Sequence, residues 1–223
     1  MIWLALAALG GVVALDASSF GQLMLSRPLV AGTLAGAIVG MPLEGALVGA
    51  MLEALSLSIL PVGAARYPET GTAAVAAVGT LGLSGAAATA PALLLILVYG
   101  VAWQRAAGVT VIAGRYVNER LVRAGRRGAL RMDRMIQHRH LESMLIDILR
   151  GAAVTVVALL IGVPLMRLAV PLWQAPGRLA AVVIAMSAAA VLAGTAPLFA
   201  DSPRGRRFLA AGLLCGSALL LLR

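Results

Sequence analysis

Between Asp16 and Gly79 the chain is almost entirely Gly, Ala, Leu, Val, Ile and Pro, yet four acids stand there: Asp16, Glu44, Glu53 and Glu69. Only Arg27 and Arg66 accompany them as bases. A carboxylate at the centre of a bilayer costs about 3 kcal/mol or more, so it faces a protein interior or a water-filled path. Glu53 is the sharpest case, in the run Gly45-Ala-Leu-Val-Gly-Ala-Met-Leu-Glu53-Ala-Leu, with no base near it in sequence. Asp16, Gln22, Arg27, Glu53 and Glu69 form the candidate substrate-binding set. Carboxylates and side-chain amides exchange paired hydrogen bonds with vicinal hydroxyls, and Phe20 or Tyr67 offers a flat apolar face for a sugar ring. The inventory suits a polyhydroxylated substrate.

Each of these residues also has a structural reading. Asp16 in Asp-Ala-Ser-Ser is a good helix N-cap context. Arg27 can pair with an acid or a helix C-terminus, Arg66 and Glu69 are spaced for a salt bridge, and Glu44 after Pro42 reads as structural. Glu53 is the residue a structural account handles least well.

Other chemistries find little support. His138 and His140 alternate within a basic segment and lack the third-ligand spacing of a metal site. No glycine-rich loop ends in Gly-Lys-Ser/Thr, which argues against direct ATP hydrolysis. The single Cys215 can form no intrachain disulfide and has no neighbouring ligands. No cofactor is expected, and no catalytic residue.

The elements that must position the acids follow from composition. With 61% hydrophobic residues, 12% charged and a mean hydropathy of +0.97, the chain reads as an all-α integral membrane protein, a polytopic helical bundle. Residues 1–83 are apolar but repeatedly broken: 1–15, 29–39, 43–60 and 72–83 are short, interrupted at Met41-Pro42, Pro61 and Gly71. Broken or re-entrant helices at membrane depth are tolerated where they line a cavity. Gly32, Gly36 and Gly40, then Gly45 and Gly49, share small-xxx-small spacing for close helix contact, within the chain or with another subunit. The start, 1–15, lacks the basic region of a signal peptide and is expected to stay in the membrane domain.

Residues 86–104 read as a clearer crossing, its apolar part ending at Trp103 before Gln104-Arg105. The segment 105–150 then holds ten of the 18 basic residues, all of them arginine. That asymmetry marks a cytoplasmic face, and the aromatic interleaving of a nucleic-acid-binding surface is absent, so no nucleic-acid partner is expected. Within it, 115–150 reads as an amphipathic surface helix with an apolar stripe of Leu141, Met144, Leu145, Ile148 and Leu149, leaving Glu142 and Asp147 off the stripe. Its basic face suits anionic membrane lipid. Residues 151–223 supply three further stretches, 152–170, 179–199 and 208–222, with Arg204, Arg206 and Arg207 before the last. The whole is one membrane domain.

The run from Phe20 to Gly40, Phe-Gly-Gln-Leu-Met-Leu-Ser-Arg27-Pro28-Leu-Val-Ala-Gly-Thr-Leu-Ala-Gly-Ala-Ile-Val-Gly, resembles the IIC subunit of the mannose/fructose/sorbose phosphotransferase transporters. So do the segment around Glu53, Pro61-Val-Gly-Ala, and Pro68-Glu69 after them. The resemblance is strong from about Asp16 to Gly79 and fades after Pro171. It implies a bacterial inner-membrane, multi-pass subunit that pairs with a IID membrane subunit. It also implies that a hexose passes to a cytosolic IIA/IIB phosphocarrier, with phosphoryl transfer on those partners and none on IIC. A homo-oligomer is a further possibility. Met41 stands where many relatives carry an acid, and the C-terminal part is shortened. Two other readings stay open: a non-transporting assembly or regulatory subunit, and an ion-coupled carrier using Glu53 as its proton site.

Overall fold

The computed structural model describes residues 1–57, 68–126, 132–173, 199 and 203–221. These residues form seven helices and no strand: α1 (Ile2–Ser18), α2 (Pro28–Val39), α3 (Pro42–Ser56), α4 (Thr70–Ser84), α5 (Ala90–Arg126), α6 (Met132–Leu172) and α7 (Pro203–Leu221). The breaks between the short helices have local causes. Pro28 and Pro42 open α2 and α3, where a missing N–H costs nothing. Gly40 ends α2 in the left-handed region at φ +79°, which lets the Met41 N–H return to the Gly36 carbonyl at 2.7 Å. The expected stretch 179–199 lies almost wholly outside the described residues, as do Arg66 and Tyr67.

The centre of the bundle is α4. It packs against α1, α2, α3, α5 and α6, and every residue from Gly71 to Leu81 is buried. A helix that is apolar all round has no solvent face to present, and this one is enclosed by its neighbours. At 15 residues it is about 22 Å long, short of the roughly 30 Å hydrocarbon core. By itself it is too short to span that core.

Beside it, α2 and α3 form a hairpin joined by a glycine seam. A Cβ on Gly32 would lie 2.7 Å from the Gly45 carbonyl oxygen, and one on Gly36 would lie 2.5 Å from the Met41 carbonyl oxygen and 3.0 Å from the Gly45 Cα. Both helices give up side chains so that their backbones touch. The partner of the small-residue face is thus intrachain. Gly40 does not share in it: nothing lies within 4 Å of its would-be Cβ, and its role is the turn.

In α5 and α6, 37 and 41 residues long, the structure departs from the sequence expectation. Residues 115–150 are not one surface helix but the facing ends of α5 and α6, with 127–131 between them outside the described residues. Nothing in the sequence stops either helix at the charge boundary, because Arg, Leu, Met and Glu all favour helix. The expected apolar stripe is also split. Leu141, Leu145 and Leu149 are exposed, Met144 and Ile148 are half-buried with Ile148 against Gly11, and of the two off-stripe acids Glu142 is exposed while Asp147 is buried. In a lipid-facing helix the apolar side turns outward and the ionisable one turns into the bundle. Both α5 and α6 contain spans long and apolar enough to cross a membrane, 90–121 and 136–172.

Candidate functional site

A cavity of about 610 Å³ opens where the end of α1, the connection 19–27, the N-termini of α2 and α4, and the end of α3 converge. Its lining includes all five sequence-derived candidates: Asp16, Gln22, Arg27, Glu53 and Glu69. They come from positions up to 53 residues apart in the chain, brought together by the α2–α3 hairpin folding against α4.

Asp16 is 4% exposed near the end of α1. Its carboxylate accepts the backbone N–H of Leu23 at 2.5 Å and of Ser26 at 2.9 Å. It caps no helix; it gathers the connection 19–27 around itself. That connection is strained, with Gly21, Gln22 and Met24 at φ +96°, +49° and +67°. Left-handed backbone costs a non-glycine residue about 1–2 kcal/mol, and Asp16 supplies the bonds that hold it. The strained loop presents the Gln22 amide to the cavity.

Glu53 meets its partner across the hairpin. Its Oε2 accepts the Leu29 N–H at 3.0 Å, and Oε1 lies 3.8 Å from Arg27 Nη1. Leu29 is in the first turn of α2, whose N-cap, Arg27, makes no side-chain cap. A carboxylate from α3 thus serves as the cap that α2 lacks, at the positive end of its dipole. Its side chain is 24% exposed, and the Arg27 contact is loose and half in the open. Capacity for further hydrogen bonds remains on its cavity side.

Glu69, the N-cap residue of α4, turns its side chain away from its own helix. Both its oxygens are held by Arg150: Nη1 donates to Oε2 at 2.7 Å and Nη2 to Oε1 at 3.0 Å. Arg150 also donates to Thr110 Oγ1 at 3.2 Å and lies 3.6 Å from Asp147 through Nε, an ionic contact longer than a hydrogen bond. Asp147 in turn accepts the hydroxyls of Ser18, at 2.9 Å, and Ser19. The Glu69 backbone N–H donates to the Gln104 carbonyl at 3.0 Å. The sequence offered Arg66 as the partner of Glu69; the described partner is 81 positions away.

Other residues take quieter places. Glu44 lies in the first turn of α3, where an acid complements the helix dipole. Phe20 is exposed on the loop and does not line the cavity, and His138 and His140 stand on the exposed end of α6. Sequence inspection missed Thr72, Ser26, Asp147 and Arg150. Thr72 is fully buried in the cavity wall, its hydroxyl without a partner among the described residues. The available signal was Asp147 and Arg150, three apart and immediately before the apolar run from Gly151 to Met166.

Chemically, the lining residues offer both acceptors (Glu53, the Gln22 carbonyl) and donors (Arg27, the Gln22 amide). Glu69 is paired with Arg150, and the remaining lining acids, Asp16 and Glu53, outnumber Arg27, a balance that disfavours an anionic occupant.

Residues 1–199 match the family described as PTS system sorbose-specific IIC component. No curated protein matches the sequence significantly. Among solved structures, one described only as a membrane protein aligns with a TM-score of 0.75 at 18% identity, covering 97% of this chain and 86% of that one. The mannose transporter ManYZ, solved in complex with microcin E492, aligns with a TM-score of 0.60 at 18% identity and the same coverages. At such identities the likeness is one of fold.

Proposed function

The chain belongs to the family of PTS sorbose-specific IIC components and is a membrane transporter subunit of that system; on that premise we propose that its cavity takes a neutral, hexose-like sugar. The observation that carries this reading is the convergence of Asp16, Gln22, Arg27, Glu53 and Glu69 on one cavity. A sugar hydroxyl both donates and accepts, so it suits a wall that offers both. The excess of carboxylates in that wall argues for the free sugar over its phosphate. Glu53 accepts sugar hydroxyls, Gln22 exchanges a pair with them, and Asp16 acts by holding the loop that carries Gln22. The subunit works in the bacterial cytoplasmic membrane as a multi-pass protein beside a IID subunit. It delivers the sugar to a cytosolic IIA/IIB phosphocarrier, a step that its place in the IIC family supports.

The test is uptake by the complete complex, with the sugar first found by screening sorbose, mannose and fructose. A charge-assisted hydrogen bond is worth about 1.5–3 kcal/mol, so Glu53→Gln raises half-saturation about ten- to hundredfold. Asp16→Asn raises it as well. Unchanged half-saturation in both variants, with normal assembly, removes the assignment. Uptake that collapses with the proton gradient and ignores phosphoenolpyruvate would instead make Glu53 the proton site of an ion-coupled carrier.

A further inference from the structure

One buried cation touches both walls of the cavity. On the α4 side Arg150 holds both oxygens of Glu69, and on the α1 side it faces Asp147, which accepts the hydroxyls of Ser18 and Ser19. Ser18 closes α1, and the strained connection leaves from Ser19. The two ends of that connection are therefore tied to different carboxylates: its root to Asp147 on α6, its middle to Asp16 through the Leu23 and Ser26 amides. Arg150 and Glu69 are 9% and 4% exposed, so water cannot substitute for either partner. A planar guanidinium can satisfy one carboxylate end-on through Nη1 and Nη2 while its Nε faces another; an ammonium cannot.

We propose that Arg150 is a positioning residue that couples the two walls of the cavity, fixing Glu69 directly and the 19–27 loop through Asp147. It does not touch the sugar. It sets the distance between the loop that carries Gln22 and the helix end that carries Glu69. The structural half of this inference stands on contacts alone; its consequence for the sugar rests on the transport reading above.

Two readouts separate these halves. The first is hydrogen exchange of residues 19–27 in the membrane-embedded complex, compared among wild type, Arg150→Lys, Arg150→Met, Asp147→Asn and Arg167→Met. Arg167 is the control: it too reaches from α6 to α4, but it bonds the Leu83 and Ser84 carbonyls at the far end. Loss of about one hydrogen bond's worth of restraint is about a tenfold faster exchange in the loop for the Arg150 and Asp147 variants. The Arg167 variant leaves the loop unchanged.

The second readout is uptake. Arg150→Lys keeps the charge and raises the sugar's half-saturation about tenfold, with maximal rate within about twofold. If Arg150→Met does not fold, Arg150→Lys and Asp147→Asn decide the matter. Unchanged loop exchange in both overturns the coupling, whatever uptake does. Faster exchange with unaltered half-saturation overturns the positioning role. A wild-type complex that moves none of the sugars overturns the transport reading, and the exchange result alone then decides the coupling.

Discussion

Removing the cation from the buried network costs more than removing the acid it holds, and the structure gives the order. Arg150→Met leaves Glu69 and Asp147 buried without their shared guanidinium. Breaking one side of a buried pair costs about 3–5 kcal/mol, and with two carboxylates affected the upper end applies. Glu69→Gln costs less, about 2 kcal/mol, because Arg150 keeps Asp147 at 3.6 Å and the new amide oxygen still accepts one N–H. The double variant Glu69→Gln/Arg150→Met removes both charges of the bidentate pair. It leaves Asp147 with the Ser18 and Ser19 hydroxyls. It is therefore expected to be more stable than Arg150→Met alone, by about 1 kcal/mol or more of coupling. Unfolding of the purified protein in a fixed detergent, followed by helical circular dichroism, measures the series. A double variant no more stable than Arg150→Met would refute the reasoning, since Glu69 would not then be a charge that Arg150 neutralises.

The glycine seam and the glycine turn make a contrasting pair. Gly45→Val drives a side chain into the Gly32 carbonyl and the Gly36 Cα, so it is expected to destabilise by about 3 kcal/mol or to prevent folding. Gly40→Ala meets no atom and loses only about 1 kcal/mol for its left-handed backbone, and the same unfolding assay ranks the two. Tyr99→Phe deletes a 2.6 Å hydrogen bond to the Ala158 carbonyl and is expected to lose about 1 kcal/mol. The stacked Trp103 ring keeps its neighbour in that variant, so near-ultraviolet dichroism from tryptophan persists while stability falls.

The short helices of the first half were legible because their ends are written in covalent geometry: Pro28 and Pro42 at starts, Gly40 and Gly85 at left-handed stops. The course of α5 and α6 was not, because the sequence marks where charge begins and a backbone helix does not stop for charge. The stripe of Leu141, Met144, Leu145, Ile148 and Leu149 is divided between an exposed and a half-buried side for a related reason. Periodicity identifies an apolar face, but which way that face turns depends on whether the solvent is water or lipid. The candidate site was legible as a set, since all five residues line one cavity. Their partners were not. Arg150 is distant in sequence from Glu69, and the partner of Glu53 is mainly a backbone N–H, which no reading of side-chain charges can reveal.

The Glu53 carboxylate meets the start of α2 from the end of α3, and Glu69 stands at the start of α4, each beside an arginine, yet these surroundings leave them in opposite chemical conditions. Glu69 has each oxygen engaged by the same guanidinium, and it is almost wholly buried. Its geometry is fixed, and little acceptor capacity is left for a ligand. Glu53 is stabilised differently. The first turn of α2 offers it one N–H and the partial positive charge of a helix end, worth about 0.3–1 kcal/mol, while Arg27 stays 3.8 Å away. These contacts orient the Glu53 carboxyl beside the cavity without closing a tight ion pair over it. A hydroxyl approaching Glu53 displaces no strong bond, whereas one approaching Glu69 competes with a bidentate arginine. Of the three acids that line the cavity, Glu53 is thus the one whose lone pairs are most open to a ligand. Its substitution therefore bears most directly on sugar affinity, and that of Glu69 on the frame.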